Sequence, residues 1–271
     1  MARIASRLKS AFGLKRLPFT CDLDGEYFVH PAFEDGLKKL RYVADRRGIA
    51  ALIAGAGAGK STLIRSFMES LGKTAFRIAY VPEATCAIVD LYRTIARAFD
   101  IEPGFRKADI CAQIKERLLA LSMTRKVCPV LILDEAHLLN RAFFDELRIL
   151  SNFDADSKEE MMLLLSGQTQ LETSLRLSIN EALAQRIVAR VRLAGLDRAQ
   201  VEDYVLHRLS QAGRTAPLFT DDGVEGLFRA SRGVPRLIDR VAEASLLLAL
   251  AGKKKEIDAD MVAQAVLEVE P

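Results

Sequence analysis

A glycine-rich turn followed by a basic residue and a hydroxyl residue offers the clearest chemistry in this sequence. The turn begins at Ala54, after the apolar run Ile49–Ile53, and leads into an amphipathic helical pattern. Backbone N–H groups of such a turn converge on phosphate oxygens, and a lysine there bridges the terminal phosphates. Ala54 stands where the P-loop pattern has its first glycine, a small departure. The turn predicts a nucleotide phosphate site formed by Gly55, Gly57, Gly59, Lys60, Ser61 and Thr62.

Two adjacent carboxylates, Asp134 and Glu135, follow the apolar run Val130–Leu133. Charges at the carboxyl end of a buried strand are costly unless a cation or a reaction uses them, and open α/β sheets bind ligands at that edge. We expect Asp134 and Ser61 to hold Mg²⁺ and Glu135 to activate the attacking water. A simple N-cap aspartate is the structural alternative. With the glycine-rich turn, the pair predicts an enzyme that binds ATP and Mg²⁺ and hydrolyses ATP.

The rest of the sequence alternates short apolar runs with helical patterns as far as about Gly195. Short apolar runs are typical of interior strands of a parallel sheet, which are buried on both faces. Beyond Gly195 every pattern is helical, with Thr220 and Asp258 as candidate N-caps. The sequence therefore predicts an α/β fold with a parallel sheet flanked by helices and a C-terminal all-helical lid. The predicted domains are a basic arm with a linker helix at 1–45, an ATPase base at 46–195 and the lid at 196–271.

Composition narrows the class of protein. Half of the 271 residues are apolar, which excludes a disordered or collagen-like chain. The apolar runs fall short of the roughly 18 residues that a membrane span needs, and the N-terminus lacks the apolar core of a secretory signal. The four cysteines show neither zinc-site nor disulfide spacing. We therefore expect a cytoplasmic protein without a membrane span.

Several short segments resemble those of the AAA+ ATPases. Within that family they are similar to the subgroup of ExeA-type general-secretion ATPases and of the TniB, TnsC and MuB kind of DNA-transposition ATPases. The segments are Phe12-Gly13-Leu14, Pro18-Phe19, Tyr27-Phe28, 134–139, 146–153, Ser166-Gly167-Gln168 and Gly233-Val234-Pro235-Arg236. The resemblance implies the P-loop AAA+ fold.

The resemblance also implies roles for individual residues. Gln168, or else Ser166, corresponds to the sensor-1 position that orients water and the γ-phosphate. Arg186, or else Arg190, corresponds to the arginine finger that reaches the ATP of a neighbouring subunit, and Arg236 corresponds to sensor 2, which acts in cis. A finger supplied in trans implies a homo-oligomer, either a closed ring or an open helical filament.

Two positions near the predicted site depart from a simple assignment. Glu83 stands where the subgroup often has an asparagine that pairs with the catalytic glutamate, so a glutamate-switch role for Glu83 is not expected. His137 follows Glu135 closely, and we interpret it as a residue of the next helix. It forms no metal-ligand pattern with the other two histidines, His30 and His207.

The region after the lid guides the choice within the subgroup. The secretion branch normally carries a membrane span and a peptidoglycan-binding region there, whereas this sequence stops at Pro271. We therefore expect a transposition regulator: an ATPase that oligomerises on double-stranded DNA without sequence specificity and recruits or activates a transposase, with a target-selection protein as a further partner. The alternative is an ExeA-type secretion or signalling ATPase that assembles on a protein partner without DNA.

Charge placement gives candidates for DNA contact. The net charge is only +3, but basic residues cluster in the first twenty residues, within 38–47 and at 253–255. Such clusters would make DNA binding sequence-independent and sensitive to salt, although basic runs also form ordinary solvated faces. The first cluster has a further alternative, a helix that packs or docks through Ile4, Leu8, Ala11 and Phe12. The pair Arg106 and Lys107, after Pro103-Gly104, is the candidate DNA-contacting loop.

Overall fold

A computed structural model describes residues 2–20, 26–82, 87–124, 126–153 and 160–269 of the chain. They form two compact units, each with its own hydrophobic core. The sheet unit comprises Pro31–Ala56 and Lys60–Leu193. The helical unit comprises the described residues of Met1–His30, Gly57–Gly59 and Ala194–Pro271.

The sheet unit alternates helices with parallel strands. Its strands are β1 (Ile49–Ala54), β2 (Phe76–Val81), β3 (Cys128–Leu133), β4 (Met162–Gly167) and β5 (Ile187–Leu193). Its helices are α2 (Pro31–Arg46), α3 (Lys60–Ser70), α4 (Ile88–Ala98), α5 (Lys107–Leu119), α6 (Arg141–Leu150), α7 (Thr169–Arg176) and α8 (Glu181–Ala184). A π-helical turn at Ala120–Thr124 follows α5, and 3₁₀ turns occur at Ala136–Leu138 and Ser178–Asn180. The predicted parallel sheet flanked by helices is confirmed.

The order of the strands places the end of β4 between the ends of β1 and β3. The sheet runs β2-β3-β4-β1-β5, and every pair in it is parallel. Leu133 at the end of β3 pairs with Leu165 of β4, and Ile53 of β1 pairs with Gly167. The residues that follow these three strands therefore meet at one edge of the sheet.

The three central strands are buried along their whole length, because helices cover both faces of the sheet. This explains why their sequences are continuous apolar runs rather than alternating patterns. Aromatic side chains of the covering helices, such as Phe67 and Tyr92, and Phe99 directly after α4 are fully buried beside the sheet. Close packing of this kind fixes the strand ends, and hence the side chains that follow them.

The helical unit contains α1 (Ala2–Phe12), α9 (Arg198–Gln211), α10 (Asp221–Ser231), α11 (Pro235–Ala251) and α12 (Ala259–Val269). The Thr220 hydroxyl accepts a hydrogen bond from the Gly223 N–H, and the Asp258 carboxylate accepts one from the Met261 N–H. Both predicted N-caps are therefore confirmed.

The structure divides the predicted N-terminal arm between the two units. Leu8 and Phe12 of α1 are buried in the core of the helical unit, whereas Phe33 and Leu40 of α2 are buried in the sheet unit. The helical spacing of Leu8 and Phe12 thus corresponds to a packed helix. No helix in the described part of the chain is long and apolar enough to cross a bilayer.

Candidate active site

The glycine-rich turn occupies the end of β1 and the start of α3, as the sequence predicts. Gly57 and Gly59 have φ angles of +76° and +92°, in the left-handed region that glycine adopts without strain. A Cβ atom built on Gly55 or Gly59 would meet no atom within 4 Å, so space remains above the backbone at these two residues. The N-terminal residues of α3 are Lys60, Ser61 and Thr62. This open turn at a helix N-terminus is suited to phosphate oxygens.

Lys60 joins the turn to the two carboxylates that follow β3. Its ammonium group donates a hydrogen bond to Glu135 Oε1 at 3.0 Å and lies 3.9 Å from Asp134 Oδ1. Lys60 and Asp134 are both buried, with 8% and 4% of their surfaces exposed. The Lys60 ammonium thus lies between two carboxylates, so each of the buried charges has a neighbour of opposite sign in a region where unpaired charges would be costly.

Asp134 is held by three hydrogen bonds from other elements and from the backbone. Ser166 Oγ donates to Oδ1 at 2.8 Å, Tyr80 Oη donates to Oδ2 at 3.0 Å, and the Glu135 N–H donates to Oδ1 at 2.9 Å. Burial and the charge of Asp134 raise the pKa of Tyr80 to about 12, so the phenol remains a donor at neutral pH. The carboxylate therefore has a fixed orientation.

Glu135 has a strained backbone and a carboxylate with contacts on both oxygens. Its φ of +52° lies in the left-handed region, which is uncommon for a residue other than glycine. His137 Nδ1 lies 3.3 Å from Oε2, opposite the contact of Oε1 with Lys60. Burial by itself raises the pKa of the Glu135 carboxyl. Lys60, His137 and a hydrogen bond from Gln168 together lower the pKa by more than burial raises it, so the pKa is below its usual range. Glu135 is therefore ionised at neutral pH, as a general base must be.

The donor set fits a nucleotide carrying Mg²⁺. Hydroxyl and carboxylate oxygens, here those of Ser61 and Asp134, are ligands that Mg²⁺ prefers. The open glycine turn and the Lys60 ammonium supply donors for phosphate oxygens. The geometry thus brings together Lys60, Asp134 and Glu135, although Lys60 is distant from the two carboxylates in the sequence.

Comparison with known families decides the class of protein. The model of the AAA domain family matches residues 43–175, which include the turn, both carboxylates and Ser166-Gly167-Gln168. The protein contains an AAA-type P-loop ATPase domain. The predicted enzyme class, an ATPase, and the predicted AAA-type fold are confirmed.

Relatives of the ATPase include a secretion protein. This chain is 33% identical over 257 residues to General secretion pathway protein A of Aeromonas hydrophila. The match covers 92% of this chain and 46% of that protein. The chain thus spans about half the length of this relative, so the position at which the sequence ends has no bearing on the choice between secretion and transposition.

Solved structures share the fold. Cdc6p of Pyrobaculum aerophilum matches with a TM-score of 0.72 and 20% identity, over 93% of this chain and 70% of that one. The ORC1 protein of Aeropyrum pernix, solved in complex with DNA, matches with a TM-score of 0.64 and 17% identity, over 94% of this chain and 69% of that one. At these identities the likeness is one of fold.

The two candidates for sensor 1 both contact the paired carboxylates of the ATPase. Ser166, fully buried at the end of β4, binds Asp134, whereas the side chain of Gln168 is hydrogen-bonded to Glu135. Both contacts arise because β3 and β4 are neighbours in the sheet and end side by side. Glu83, the acid at the asparagine position, lies outside the described residues.

The two arginines named by the resemblance lie in different surroundings. Arg186 donates to the backbone oxygen of Ser151 at 3.0 Å and to its hydroxyl at 3.3 Å, just beyond the end of α6. This guanidinium therefore has a structural partner within its own chain. Arg236 is exposed near the start of α11, and its backbone N–H lies 3.4 Å from the Gly57 oxygen within the helical unit.

Two residues near the site were missed or misplaced by the sequence analysis. His137 does not lie on the next helix, because the 3₁₀ turn Ala136–Leu138 precedes α6. The side chain of His137 turns back to Glu135 instead. Tyr80 was not named as a site residue. It lies near the end of a strand, two positions before Pro82, and this position indicates that it is close to the same edge of the sheet.

The candidate DNA loop is only partly available. Lys107 forms an ion pair with Glu146, whereas the exposed side chain of Arg106 has no hydrogen bond or ion pair with the described part of the chain. Phe105, beside Arg106, is 94% exposed. Much of the basic cluster in 38–47 is also neutralised, since Lys38 and Lys39 each pair with an acid one turn away.

Proposed function

We propose that the ATPase hydrolyses ATP at this edge of the sheet with Glu135 as general base. The observation that supports this is the junction of Lys60, Asp134 and Glu135 at the ends of β1 and β3. The glycine-turn amides and Lys60 bind the phosphates, and Asp134 with Ser61 holds Mg²⁺, which neutralises phosphate charge when bound. Glu135 then takes a proton from the attacking water.

Three further side chains complete the proposed reaction. Gln168 orients the water, a role that its hydrogen bond to Glu135 supports. Arg236 contacts the γ-phosphate in cis, and Arg186 stabilises the transition-state charge in the site of a neighbouring subunit. For Arg186 this requires the guanidinium to leave Ser151, which makes assembly and hydrolysis interdependent.

We further propose that the ATP-bound protein oligomerises on double-stranded DNA without sequence specificity and recruits or activates a transposase. The exposed side chain of Arg106, which makes no hydrogen bond or ion pair with the described part of the chain, supports a DNA contact at the loop before α5, because guanidinium groups bind phosphates. The exposed ring of Phe105 beside it offers a further apolar contact. The resemblance to transposition ATPases, and a fold shared with an ORC1 protein solved in complex with DNA, support the same partner.

A second candidate is an ATPase that assembles on a protein partner in secretion. The 33% identity to General secretion pathway protein A favours it. In that case the Phe105 loop binds protein and duplex DNA has no effect on assembly.

Fluorescence anisotropy of a labelled random-sequence duplex, with ATP and Mg²⁺ present or absent, separates the two candidates. We expect ATP-dependent binding whose affinity falls steeply with salt. Arg106→Ala should weaken binding and reduce the salt slope by about 1, and Phe105→Ala should weaken binding with little change of slope.

Arg93→Ala is the matched control, because Arg93 is a partly exposed arginine that already pairs with Asp90. It should bind DNA like the parent. Equal binding with and without ATP, or none at all, would contradict the DNA proposal.

A further inference from the structure

His137 lies between the predicted general base and the strand that leads to Gln168. Its side chain is only 9% exposed, and its Nδ1 atom is 3.3 Å from Glu135 Oε2. The same atom is 3.4 Å from the backbone nitrogen of Gln168, whose N–H points toward it. One ring nitrogen therefore faces an acceptor and a donor at once.

Nδ1 can serve only one of these neighbours at a time. With a proton it donates to the Glu135 carboxylate, and without one it accepts from the Gln168 N–H. A hydrogen bond from Nδ1 to the Glu135 carboxylate is charge-assisted, and such a bond is stronger than the alternative bond from the neutral Gln168 amide.

Lys60 also holds the Glu135 carboxylate, but a bound nucleotide would draw Lys60 away from it. Lys60 donates to Oε1, and the phosphates of ATP compete for the same ammonium. Once Lys60 binds phosphate, His137 and Gln168 remain to orient the carboxylate. A general base that can rotate freely loses much of its effect, because small displacements of a reacting group reduce the rate strongly.

The backbone around His137 is held in place by close packing. A Cβ atom on Gly167 would lie 3.0 Å from the His137 nitrogen and 3.1 Å from Leu171 Cβ, so the end of β4 packs directly on the 3₁₀ turn. The left-handed conformation of Glu135 turns the chain at the same point. His137 thus lies against both the end of β4 and Glu135.

We propose that His137 is a positioning residue, which orients the Glu135 carboxylate by donating a hydrogen bond from Nδ1 to Oε2. The proposal rests on the proposed role of Glu135 as general base. It gives His137 a place in the reaction, whereas the sequence pattern marked it only as a helix residue without a role.

Substitutions of His137 test the proposal, because Asn and Gln imitate different ring nitrogens. An Asn side chain carries its NH₂ on Cγ, as histidine carries Nδ1, whereas a Gln side chain carries its NH₂ one atom further out. We expect His137→Ala and His137→Gln to lower kcat about 10- to 100-fold while KM for ATP changes less than about twofold, and His137→Asn to recover most of kcat.

Leu138→Ala is the matched control, because Leu138 belongs to the same 3₁₀ turn and its side chain is exposed. It should retain the parent kcat. Equal kcat values for the Asn and Gln variants at equal Tm would overturn the proposal. Glu135→Gln is measured in parallel: if it hydrolyses ATP like the parent, the general-base assignment itself fails, which is a separate outcome.

The protonated ring nitrogen can be observed without any turnover. The chain has three histidines, so ¹⁵N imidazole signals of the full protein can be assigned with the His137→Asn variant. A proton on Nδ1, in a neutral or a charged ring, supports the proposal. An unprotonated Nδ1 that accepts from Gln168 overturns it.

Discussion

The ammonium group of Lys60 donates a hydrogen bond to the carboxylate of Glu135, with 3.0 Å between Nζ and Oε1. Lys60 would act on the phosphates of ATP, and Glu135 would act on the attacking water. In the structure these two side chains neutralise each other at the sheet edge. In the proposed reaction, nucleotide phosphates replace Glu135 as the partner of Lys60. Binding of ATP and release of the base would then be one event.

Replacement of Lys60 should abolish tight nucleotide binding. Lys60→Ala removes a charge-assisted bond worth about 1.5–3 kcal/mol, so we expect affinity for a fluorescent ADP to fall at least about tenfold in a titration. Lys73→Ala, an exposed lysine shortly after α3, serves as the control and should bind like the parent. Affinity of the Lys60 variant within twofold of the parent would refute the phosphate-site assignment.

A mixing experiment tests whether Arg186 acts in a neighbouring subunit. Arg186→Ala and Lys60→Ala should each be inactive, but a mixture should regain ATPase activity, because an intact nucleotide site of one protein can then meet the intact arginine of the other. Coupled-enzyme assays at constant total protein measure this. A mixture as inactive as its components would argue that Arg186 serves only its own chain, through its contacts with Ser151.

Gly233 should be irreplaceable for the stability of the helical unit. Its φ is +72°, and a Cβ there would lie 1.9 Å from the Leu196 oxygen, so both backbone strain and a clash with backbone oppose any side chain. We expect Gly233→Ala to lower the free energy of unfolding by at least about 3 kcal/mol in urea titrations.

Gly13 provides the matched control, since its φ is +66° but a Cβ would meet nothing within 4 Å. Gly13→Ala should cost only about 1 kcal/mol, the strain of the left-handed conformation. Equal losses for the two variants would show that the close approach to Leu196 is unimportant.

Asp239 should make stability fall as pH rises. Burial raises the pKa of its carboxyl to about 6, against a partial lowering by Arg208 and by the hydrogen bond from Tyr204. The folded chain thus binds more protons than the unfolded chain between about pH 4 and 6, and this group's contribution to stability is lost as pH rises through that window.

Comparison with Asp239→Asn isolates the effect. Between pH 4 and 6 the free energy of unfolding of the variant, relative to the parent, should rise by up to about 3 kcal/mol. Parallel pH profiles for the two proteins would be inconsistent with a raised pKa at Asp239.

Local sequence signals were sufficient to predict the main elements and to name the candidate residues that the structure brings together. The helices beyond Gly195 and two of their N-caps, Thr220 and Asp258, were predicted because each depends on nearby residues. The glycine turn and the pair Asp134 and Glu135 were recognised for the same reason: their chemistry is contained in short segments.

Relationships between distant segments were not predictable. His137 contacts Glu135 only because a 3₁₀ turn redirects the chain, and Tyr80 reaches Asp134 only because β2 pairs with β3 in one register. Lys107 was expected to be free for DNA, but the structure pairs it with Glu146, which is 39 positions away. Such contacts depend on tertiary packing, which a single sequence does not contain.

Sedimentation of the Glu135→Gln variant tests the central claim most directly. With ATP, Mg²⁺ and a duplex of roughly 60 base pairs, we expect large protein–DNA assemblies that outlast those of the parent, because the variant binds ATP but hydrolyses it slowly. Lys60→Ala should remain unassembled under the same conditions. A Glu135→Gln protein that hydrolyses ATP at the parent rate, or that sediments alike with and without ATP and DNA, would contradict the account.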